Sequence, residues 1–245
     1  MRRAIVILGL LAATAACAAD PTTRPAAPTA PVPTASPSSA PSPPPGQWEV
    51  LFDGSSSPAL RGYGQPGFPG GSWRVDAGRL RAVPGQPVDL ITDATYGDFE
   101  LEFTWQVAEG ANSGVMYRVL EAADPAWASG PEYQILDDER HADGRRPETS
   151  AGALYDLIGP GPAKRLRSVG EDNDGRIVVR GGTVEHWLNG ELVVTYRWRS
   201  PEVESRVALS KFRDLPAFMA ADDGAVVFQH HGEAAAFGAI RIRRL

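Results

Sequence analysis

The sequence predicts an all-β fold, a sandwich or jelly roll of two antiparallel sheets. Three observations lead to this prediction. Residues 97–107 alternate strictly between apolar and polar side chains, residues 176–199 contain three short strands joined by tight turns, and no stretch shows a long 3.6-residue period. An amphipathic helix needs that longer period, so we expect helices to be a minor part of the fold.

Residues 97–107 have the pattern of one half-buried antiparallel strand. One face carries only apolar side chains, which are Phe99, Leu101, Phe103, Trp105 and Val107. The other face carries only polar ones, which are Glu100, Glu102, Thr104 and Gln106. Because successive side chains of a strand point to opposite faces, this pattern places one face in a core and the other in water.

Residues 176–199 are expected to form a three-stranded meander. Gly181-Gly182 and Asn189-Gly190 interrupt the apolar runs, and both pairs tolerate the positive φ that two-residue hairpin turns require. Further short apolar runs lie at 48–52, 72–76, 79–83, 88–92, 113–119, 131–136, 152–158, 206–209, 224–229 and 235–243. The longer loops, 121–130 and 137–150, are where functional groups are expected.

The composition divides the chain into three parts. Ten of the 22 prolines lie between Pro21 and Pro45, and residues 18–46 are almost entirely Ala, Pro, Ser and Thr. Such a segment buries too little apolar surface to offset its ordering entropy, so we expect a disordered linker there. Residues 47–245 are then a single folded domain, and residues 1–17 precede the linker.

Charge and cysteine content exclude several classes of protein. Removing Arg2, Arg3, Arg24 and Asp20 leaves the domain with 21 basic and 29 acidic side chains, a formal charge of −8. This acidic balance argues against a nucleic-acid partner. The single cysteine excludes an intrachain disulfide framework and cysteine-based zinc or iron–sulfur sites.

The N-terminus has the pattern of an export signal. Arg2-Arg3 precedes a short apolar run from Ala4 to Ala16, which is too short to span a bilayer. The run ends in Thr14-Ala15-Ala16-Cys17, which resembles the lipidation motif of bacterial lipoproteins, although Thr14 stands where that motif usually has Leu. We therefore expect residues 1–17 to be a signal peptide and Cys17 to carry a lipid, with ordinary cleavage after a small residue as the alternative.

These features predict an exported protein held at the cell envelope, in contact with a membrane only through its lipid. Extended as polyproline II, residues 18–46 would place the domain up to about 90 Å from that membrane. We predict no protein partner.

Glu132 and Gln134 are the first candidates for a binding or catalytic site. They lie two apart in Pro131-Glu132-Tyr133-Gln134-Ile135-Leu136, so a strand would place both on one face. A carboxylate and an amide aligned in this way suit the hydroxyl groups of a sugar. An ordinary solvated strand face is the alternative.

An acidic loop with one histidine follows directly. It contains Asp137, Asp138, Glu139, His141 and Asp143. Carboxylates of this kind bind hard cations such as calcium, but the alternation of an EF-hand loop is absent, so a plain acidic loop is the stronger interpretation. No cofactor is predicted with certainty, and a divalent cation, calcium for example, stays open.

The remaining histidines differ in their surroundings. His186 shares a strand face with Val184 and Leu188, which favours a structural role. His230 and His231 follow an apolar strand, and because they are adjacent they point to opposite faces, so at most one belongs to a given site. The sequence contains none of the local motifs of serine hydrolases, P-loop enzymes, dinucleotide-binding proteins or zinc proteases.

Short motifs occur in order along the whole domain. They are Leu51-Phe52-Asp53-Gly54, Trp73-Arg74-Val75, Leu90-Ile91-Thr92, Tyr96-Gly97-Asp98-Phe99-Glu100-Leu101, Asn112-Ser113-Gly114, Arg118, Glu132-Tyr133-Gln134-Ile135-Leu136-Asp137, Gly152-Ala153-Leu154-Tyr155-Asp156, Gly170-Glu171, Val184-Glu185-His186-Trp187-Leu188-Asn189-Gly190, Gln229, His231-Gly232 and Ile240-Arg241-Ile242-Arg243. In number and order they resemble the 3-keto-disaccharide hydrolases, also called 3-keto-glycoside hydrolases. The resemblance implies a concanavalin-like β-jelly roll, often exported as a lipoprotein.

The resemblance also implies a chemistry. Members of this family act on glycosides already oxidised at C3, where the carbonyl acidifies the proton on C2. A general base removes that proton, the enolate expels the C1 substituent with help from a general acid, and water adds to complete net hydrolysis. This route needs a tuned base, an enolate stabiliser and hydroxyl-binding groups, and not the paired carboxylates of an ordinary glycosidase.

Residues of this sequence can be assigned to those roles as the resemblance implies. The candidate base is Glu132 or His231, and the candidates for acid or oxyanion roles are Asp137, His141, Tyr155 and Glu171. The expected substrate-binding residues are Asn112, Arg118, Gln134, Tyr155 and His186. The rival hypotheses are a non-catalytic carbohydrate-binding module on the same scaffold and a conventional glycoside hydrolase using Glu132 with another acid.

The sequence departs from the family pattern at four places. The usual Gln-Asp-His-Gly is Gln229-His230-His231-Gly232, and the usual Arg-Asn of Phe-Arg-Asn-Ile is Gly238-Ala239. Asp172 and Tyr63 stand where tryptophans are usual. Because glycine cannot replace the bidentate contacts of an arginine, these changes predict altered specificity or binding without turnover.

Overall fold

The computed structural model describes residues 44–85 and 87–245. Within these residues the chain forms thirteen strands, one α-helix and three short 3₁₀ helices. The strands are β1 Glu49–Phe52, β2 Leu60–Gly62, β3 Trp73–Asp76, β4 Arg79–Ala82, β5 Leu90–Thr92, β6 Phe99–Val107, β7 Asn112–Val119, β8 Glu132–Leu136, β9 Asn173–Arg180, β10 Thr183–Leu188, β11 Glu191–Arg197, β12 Ala225–Phe228 and β13 Ala235–Arg244. Helix α1 spans Pro201–Leu209, and the 3₁₀ helices span Ala126–Ala128, Ala142–Arg145 and Pro147–Thr149.

The strands form two antiparallel sheets, which confirms the predicted jelly-roll sandwich. The larger sheet has the order β11-β10-β9-β6-β13-β4-β3, with β1 also paired to β13. The smaller sheet has the order β2-β5-β12-β7-β8. The predicted signal peptide, the predicted lipidation site Cys17 and nearly all of the predicted linker lie outside the described residues.

The alternation predicted for residues 97–107 holds in β6. Phe99, Leu101, Phe103, Trp105 and Val107 are buried between the sheets. On the outer face Glu102 pairs with Arg241 of β13 at 2.6 Å. The predicted meander is confirmed as β9, β10 and β11, with turns at Gly181-Gly182 and Asn189-Gly190.

Aromatic side chains from both sheets join the interior into one core. Phe103 of β6 meets Tyr133 of β8 with ring centroids 5.4 Å apart, and Phe237 of β13 meets Phe228 of β12 at 5.2 Å. Both contacts are edge-to-face, the geometry that aromatic pairs prefer. Burial of these rings determines which neighbouring side chains face outward.

Two predicted strands were wrong. Residues 206–209 belong to helix α1, which begins after Ser200, whose side-chain oxygen accepts a hydrogen bond from the Val203 N–H. Pro201 at the first helical position and the N-terminal glutamates favour this helix, but it is short enough to leave no clear period. Residues 152–158 form turns in which Leu154 bridges to Tyr133 and Ile158.

The prediction also missed the three-residue strand β2. No helix in the described part of the chain is long and apolar enough to cross a membrane.

Candidate active site

Glu132 lies on the outer face of the smaller sheet, where a glycine makes room for it. Tyr133 is turned into the core, so Glu132 on the preceding position of β8 faces outward beside Met116 of β7. A Cβ atom on Gly114 would lie 1.8 Å from the Glu132 Oε1. The absence of a side chain at Gly114 therefore allows the carboxyl group to lie flat against the neighbouring strand.

Burial makes the Glu132 carboxyl an unusual acid. Its side chain is only 6% exposed, and no described residue forms a hydrogen bond with it. Burial, opposed by the charge of Lys211 and reinforced by Asp89 and Asp143, raises its pKa from 4.5 to about 8. Glu132 is therefore a protonated acid at neutral pH, with a free O–H to donate.

Gln229 and Asp89 lie on the same face of the smaller sheet as Glu132. Gln229 follows β12, which is next to the strand of Gly114, and Asp89 precedes β5, the strand after that. The Gln229 N–H donates to the Gly114 carbonyl at 2.9 Å, and its buried side-chain Oε1 has no partner among the described residues. The pairing of Ile91 with Val227 places Asp89 beside Gln229. Burial raises the pKa of Asp89 as well. These polar groups are available to the hydroxyl groups of a ligand.

His231 belongs to the same surface because it is two residues beyond Gln229. Its Nδ1 lies 3.0 Å from a Glu233 carboxylate oxygen, and its side chain is 45% exposed. If Nδ1–H donates to that carboxylate, Nε2 carries the lone pair that a general base needs. Of the two adjacent histidines, His231 is the one with the geometry of a base.

A cavity of about 370 Å³ opens over Asp89, Gln229 and His231, and the Glu132 side chain is not part of its lining. Its lining is Tyr63, Gln65, Pro87, Val88, Asp89, Asp124, Pro125, Ala126, Trp127, Gln229, His230 and His231. Tyr63 and Trp127 also pack on a small apolar cluster on the outer face of the sheet, centred on Ile91, Met116 and Val227. Aromatic rings beside convergent polar groups are the usual composition of a sugar-binding surface.

Lys211 borders this site and was not identified from the sequence. Its Nζ lies 4.3 Å from the centre of the Tyr155 ring and 5.0 Å from that of Trp127. The Tyr155 hydroxyl in turn donates to Asp143 at 3.1 Å. The sequence contains only one other lysine, Lys164. The rarity of lysine was the one feature of the sequence that could have drawn attention to Lys211.

Two predicted substrate-binding residues lie inside the protein. His186 is fully buried, and its ring bonds to the Tyr117 hydroxyl at 2.9 Å and to the Gly152 carbonyl at 3.2 Å. Burial lowers the pKa of His186 to about 4, so the ring is a neutral structural group. Arg118 is 5% exposed, donates to the Gly97 carbonyl and stacks on Trp198 at 4.4 Å. Both side chains are held by contacts inside the protein and neither lines the cavity, so the structure does not bring them to Glu132 or His231.

Gln134 and Asn112 lie on the outer face but are covered. Gln134 Nε2 donates to the Thr149 carbonyl at 3.3 Å, so this side chain holds the 142–150 loop on the sheet. Asn112 is 5% exposed, and its buried Oδ1 has no partner among the described residues. Neither side chain lines the cavity.

Three predicted catalytic residues accept hydrogen bonds from backbone N–H groups of loops. Asp137 accepts hydrogen bonds from the Gly110 and Glu139 N–H groups, and His141 accepts one from the Asp143 N–H. Glu171 accepts a hydrogen bond from the Ser168 N–H in a loop that does not line the cavity. None of Asp137, His141 and Glu171 lines the cavity that contains His231, and their catalytic roles stay predictions. Within the described residues no group of three or more potential metal ligands is placed to hold a metal ion.

Comparison with known proteins matches this geometry to one family. A sequence model described as a 3-keto-alpha-glucoside-1,2-lyase-like domain matches residues 47–243. The chain belongs to this family. A 3-keto-disaccharide hydrolase of Bacteroides thetaiotaomicron is 30% identical over 227 residues, covering 80% of this chain and 78% of the relative. The resemblance drawn from the short motifs is thereby confirmed, and the protein is a hydrolase of the glycoside hydrolase type.

Solved structures of similar proteins agree with the fold. A candidate glycosyl hydrolase of Parabacteroides distasonis superimposes with a TM-score of 0.74 and 26% identity, over 81% of this chain and 94% of its own. A second candidate glycosyl hydrolase from the same organism superimposes with a TM-score of 0.64 and 27% identity. The match covers 81% of this chain and 100% of the other.

The two departures from the family pattern at the C-terminus lie in different places, His230 in the lining of the cavity and Gly238-Ala239 on the other sheet. The His230 N–H donates to Asp89 at 2.7 Å, and its ring is held between the Val83 carbonyl at 2.9 Å and the Gly232 N–H at 3.1 Å. Gly238 and Ala239 lie on the larger sheet, at a bulge between Phe237 and Ile240. Gly238 lies beside Thr104 and Arg79 on the larger sheet, so this departure is not next to Glu132.

Substitution of Glu132 by glutamine should stabilise the protein at alkaline pH. Between pH 4.5 and about 8 the unfolded carboxyl ionises while the folded one stays protonated, so the wild-type protein loses stability as the pH rises through this window. We expect Glu132→Gln to exceed the wild type at pH 8 by on the order of 4 kcal/mol and to match it near pH 4. Denaturant unfolding across this range measures the difference.

The matched control is Glu191→Gln, at an exposed position on β11. That carboxylate stays in water, so its substitution should produce no gain that grows with pH. An equal gain in both variants, or none in Glu132→Gln, would contradict burial as the cause.

Proposed function

We propose that this hydrolase cleaves 3-keto-glycosides by eliminating the C1 substituent and then hydrating the product. The observation that carries the proposal is a buried, protonated Glu132 on the same face as His231, an imidazole oriented by a carboxylate. This pair supplies an acid and a base on one face of the smaller sheet without two ionised carboxylates. An elimination beside a ketone needs that combination.

His231 is the proposed base. Its Nε2 takes the C2 proton, and the electron pair of the C2–H bond moves into the C3 carbonyl to give an enolate. The Lys211 ammonium, held by aromatic rings near Glu132, contributes positive potential where that negative charge develops. Gln229, with an unpartnered amide oxygen, accepts a hydrogen bond from a sugar hydroxyl.

Glu132 is the proposed acid. As the enolate collapses, the C1–O bond breaks and the departing oxygen takes the Glu132 proton. The resulting carboxylate then removes a proton from water as the oxygen of that water bonds to C1. The protonated His231 exchanges its proton with solvent and then returns one to C2, so the sum is hydrolysis and both side chains return to their starting states.

Paired substrates distinguish this reaction from its rivals. The purified protein is incubated with a 3-keto-α-glucoside and with the unoxidised parent glucoside. We expect release from the keto compound alone, with solvent deuterium appearing at C2 of the product when the reaction runs in heavy water. Glu132→Gln and His231→Ala should each lower the rate by roughly 10²- to 10⁴-fold, the usual contribution of an acid or base.

The other outcomes are equally informative. Release from both substrates would indicate a conventional glycoside hydrolase, and binding without release a carbohydrate-binding module. If both variants kept the full rate, the assignment of the two residues would be wrong.

The pH dependence separates an acid from a base at Glu132. If its proton is donated, kcat/KM should fall tenfold per pH unit above the pKa of Glu132, near 8. The residual activity of Glu132→Gln should lack this alkaline decline. Activity that instead rises through the same range would assign Glu132 as the base.

We also propose that the protein is exported and anchored by a lipid on Cys17, with residues 18–46 as the spacer. This proposal rests on the charged start, the short apolar run and the position of the single cysteine. It places the hydrolase in the cell envelope, where it would meet saccharides from outside the cell.

Replacing Cys17 by alanine tests the anchor. In a bacterial host the wild-type chain should incorporate labelled palmitate and sediment with membranes, because its thiol carries the lipid. Cys17→Ala should lose the label and leave the membrane fraction. A wild-type chain without label would refute lipidation.

A further inference from the structure

A second groove lies on the outer face of the larger sheet, on the side of the sandwich away from Glu132. On β10 His186 points into the core, so its neighbour Trp187 points outward. The groove has a volume of about 530 Å³. Its lining is Glu102, Phe103, Thr104, Asp174, Gly175, Arg176, Trp187, Gly190, Ala239 and Arg241. Since packed sheets lie about 10 Å apart, this surface is separate from the candidate active site.

The strand register forms the groove from one row of long side chains and a neighbouring row of short ones. Trp187 pairs with Arg176, Arg176 with Glu102, and Glu102 with Arg241, which makes a ridge across the four adjacent strands β10, β9, β6 and β13. Three strand intervals give this ridge a length of about 14 Å.

The row of residues beside the ridge forms the floor of the groove, because Thr104, Gly190 and Ala239 have short side chains or none. Thr104 pairs with Asp174, and Ala239 and Gly190 complete the lining at the two ends. The Thr104 hydroxyl forms no hydrogen bond with a described residue. A Cβ atom at Gly238 would lie 3.3 Å from that hydroxyl oxygen, so glycine there keeps it uncrowded.

Each charged side chain in the groove already has a partner of opposite charge. Arg241 pairs with Glu102 at 2.6 Å, Arg176 with Glu100 at 3.3 Å, and Asp174 with Arg167 at 3.2 Å. The Arg176 guanidinium lies 4.5 Å from the centre of the Trp187 indole. A strongly charged ligand would therefore find no unpaired countercharge, whereas a neutral ligand with many hydroxyl groups could bond to the unused edges of these groups.

We propose that this back groove is a second saccharide-binding site that takes a neutral oligosaccharide of about three sugar units. An indole wall, planar charged groups and a low floor across four strands match the shape and hydrogen-bonding needs of a short sugar chain. The site binds without catalysis and holds the protein on a glycan while the opposite face works on chain ends. This inference stands independently of the elimination mechanism.

Binding of an unoxidised, neutral α-linked gluco-oligosaccharide of four residues tests the proposal in the purified protein. Isothermal titration calorimetry should detect binding in the wild type and equally in Glu132→Gln. Ala239→Arg fills the low row from an exposed position, and we expect it to weaken binding at least tenfold. Trp187→Ala should have a similar effect by removing the wall.

Thr195→Arg is the matched control, because it adds the same side chain at an exposed position of β11 outside the groove. It should leave binding unchanged, and Ala239→Arg should leave turnover of a small 3-keto-glucoside unchanged. No binding to the wild type at millimolar concentration, or full binding to Ala239→Arg, would overturn the proposal. Loss of binding on substitution of Gln229 alone would also overturn it, since that result places the sugar in the cavity lined by Gln229 and His231.

Discussion

Burial of alternate side chains between the two sheets is the constraint on which every functional surface of this protein depends. Tyr133 packs on Phe103, and Phe228 packs on Phe237, so their chain neighbours Glu132 and Gln229 must face outward. The same rule turns His186 inward and Trp187 outward on the other sheet. Because a strand has a period of two, a slip of one residue would exchange the core with the active surface. The core therefore sets the position of both sites.

The outer face of the smaller sheet turns an ordinary glutamate into an acid with a raised pKa. Gly114 provides the space, and the covering loops exclude water. Burial costs stability whenever the unfolded carboxyl is ionised, and no hydrogen bond from a described residue offsets that cost. An acid that is destabilising for the fold yet protonated at neutral pH has properties that fit a catalytic group.

The departures from the family pattern show how tertiary context changes the meaning of a substitution. His230 stands where the family has an acid, yet it bonds through its backbone to Asp89 and through its ring to Val83 and Gly232. It supports the cavity wall from behind. Gly238 and Ala239 lie on the opposite sheet, where Ala239 lines the back groove.

The amino-acid sequence by itself determined the class of the fold and the family. Alternation in residues 97–107 and the glycine turns of the meander are local signals, and they predicted β6 and β9 to β11 correctly. The ordered motifs were enough to identify the family, and Glu132 and His231 stood out among them. Helix α1 was missed because nine residues with one buried side chain leave no clear period.

Only the tertiary structure decided which polar residues share a surface. Arg118, His186 and Asp137 have the residue types of a sugar site, but long-range packing and hydrogen bonds to distant carbonyl and N–H groups assign them to the framework. Lys211 comes to Glu132 from a loop about 80 positions away, which no spacing rule predicts. The pKa of Glu132 likewise follows from burial by several separate segments, and burial is a property of the assembled sandwich.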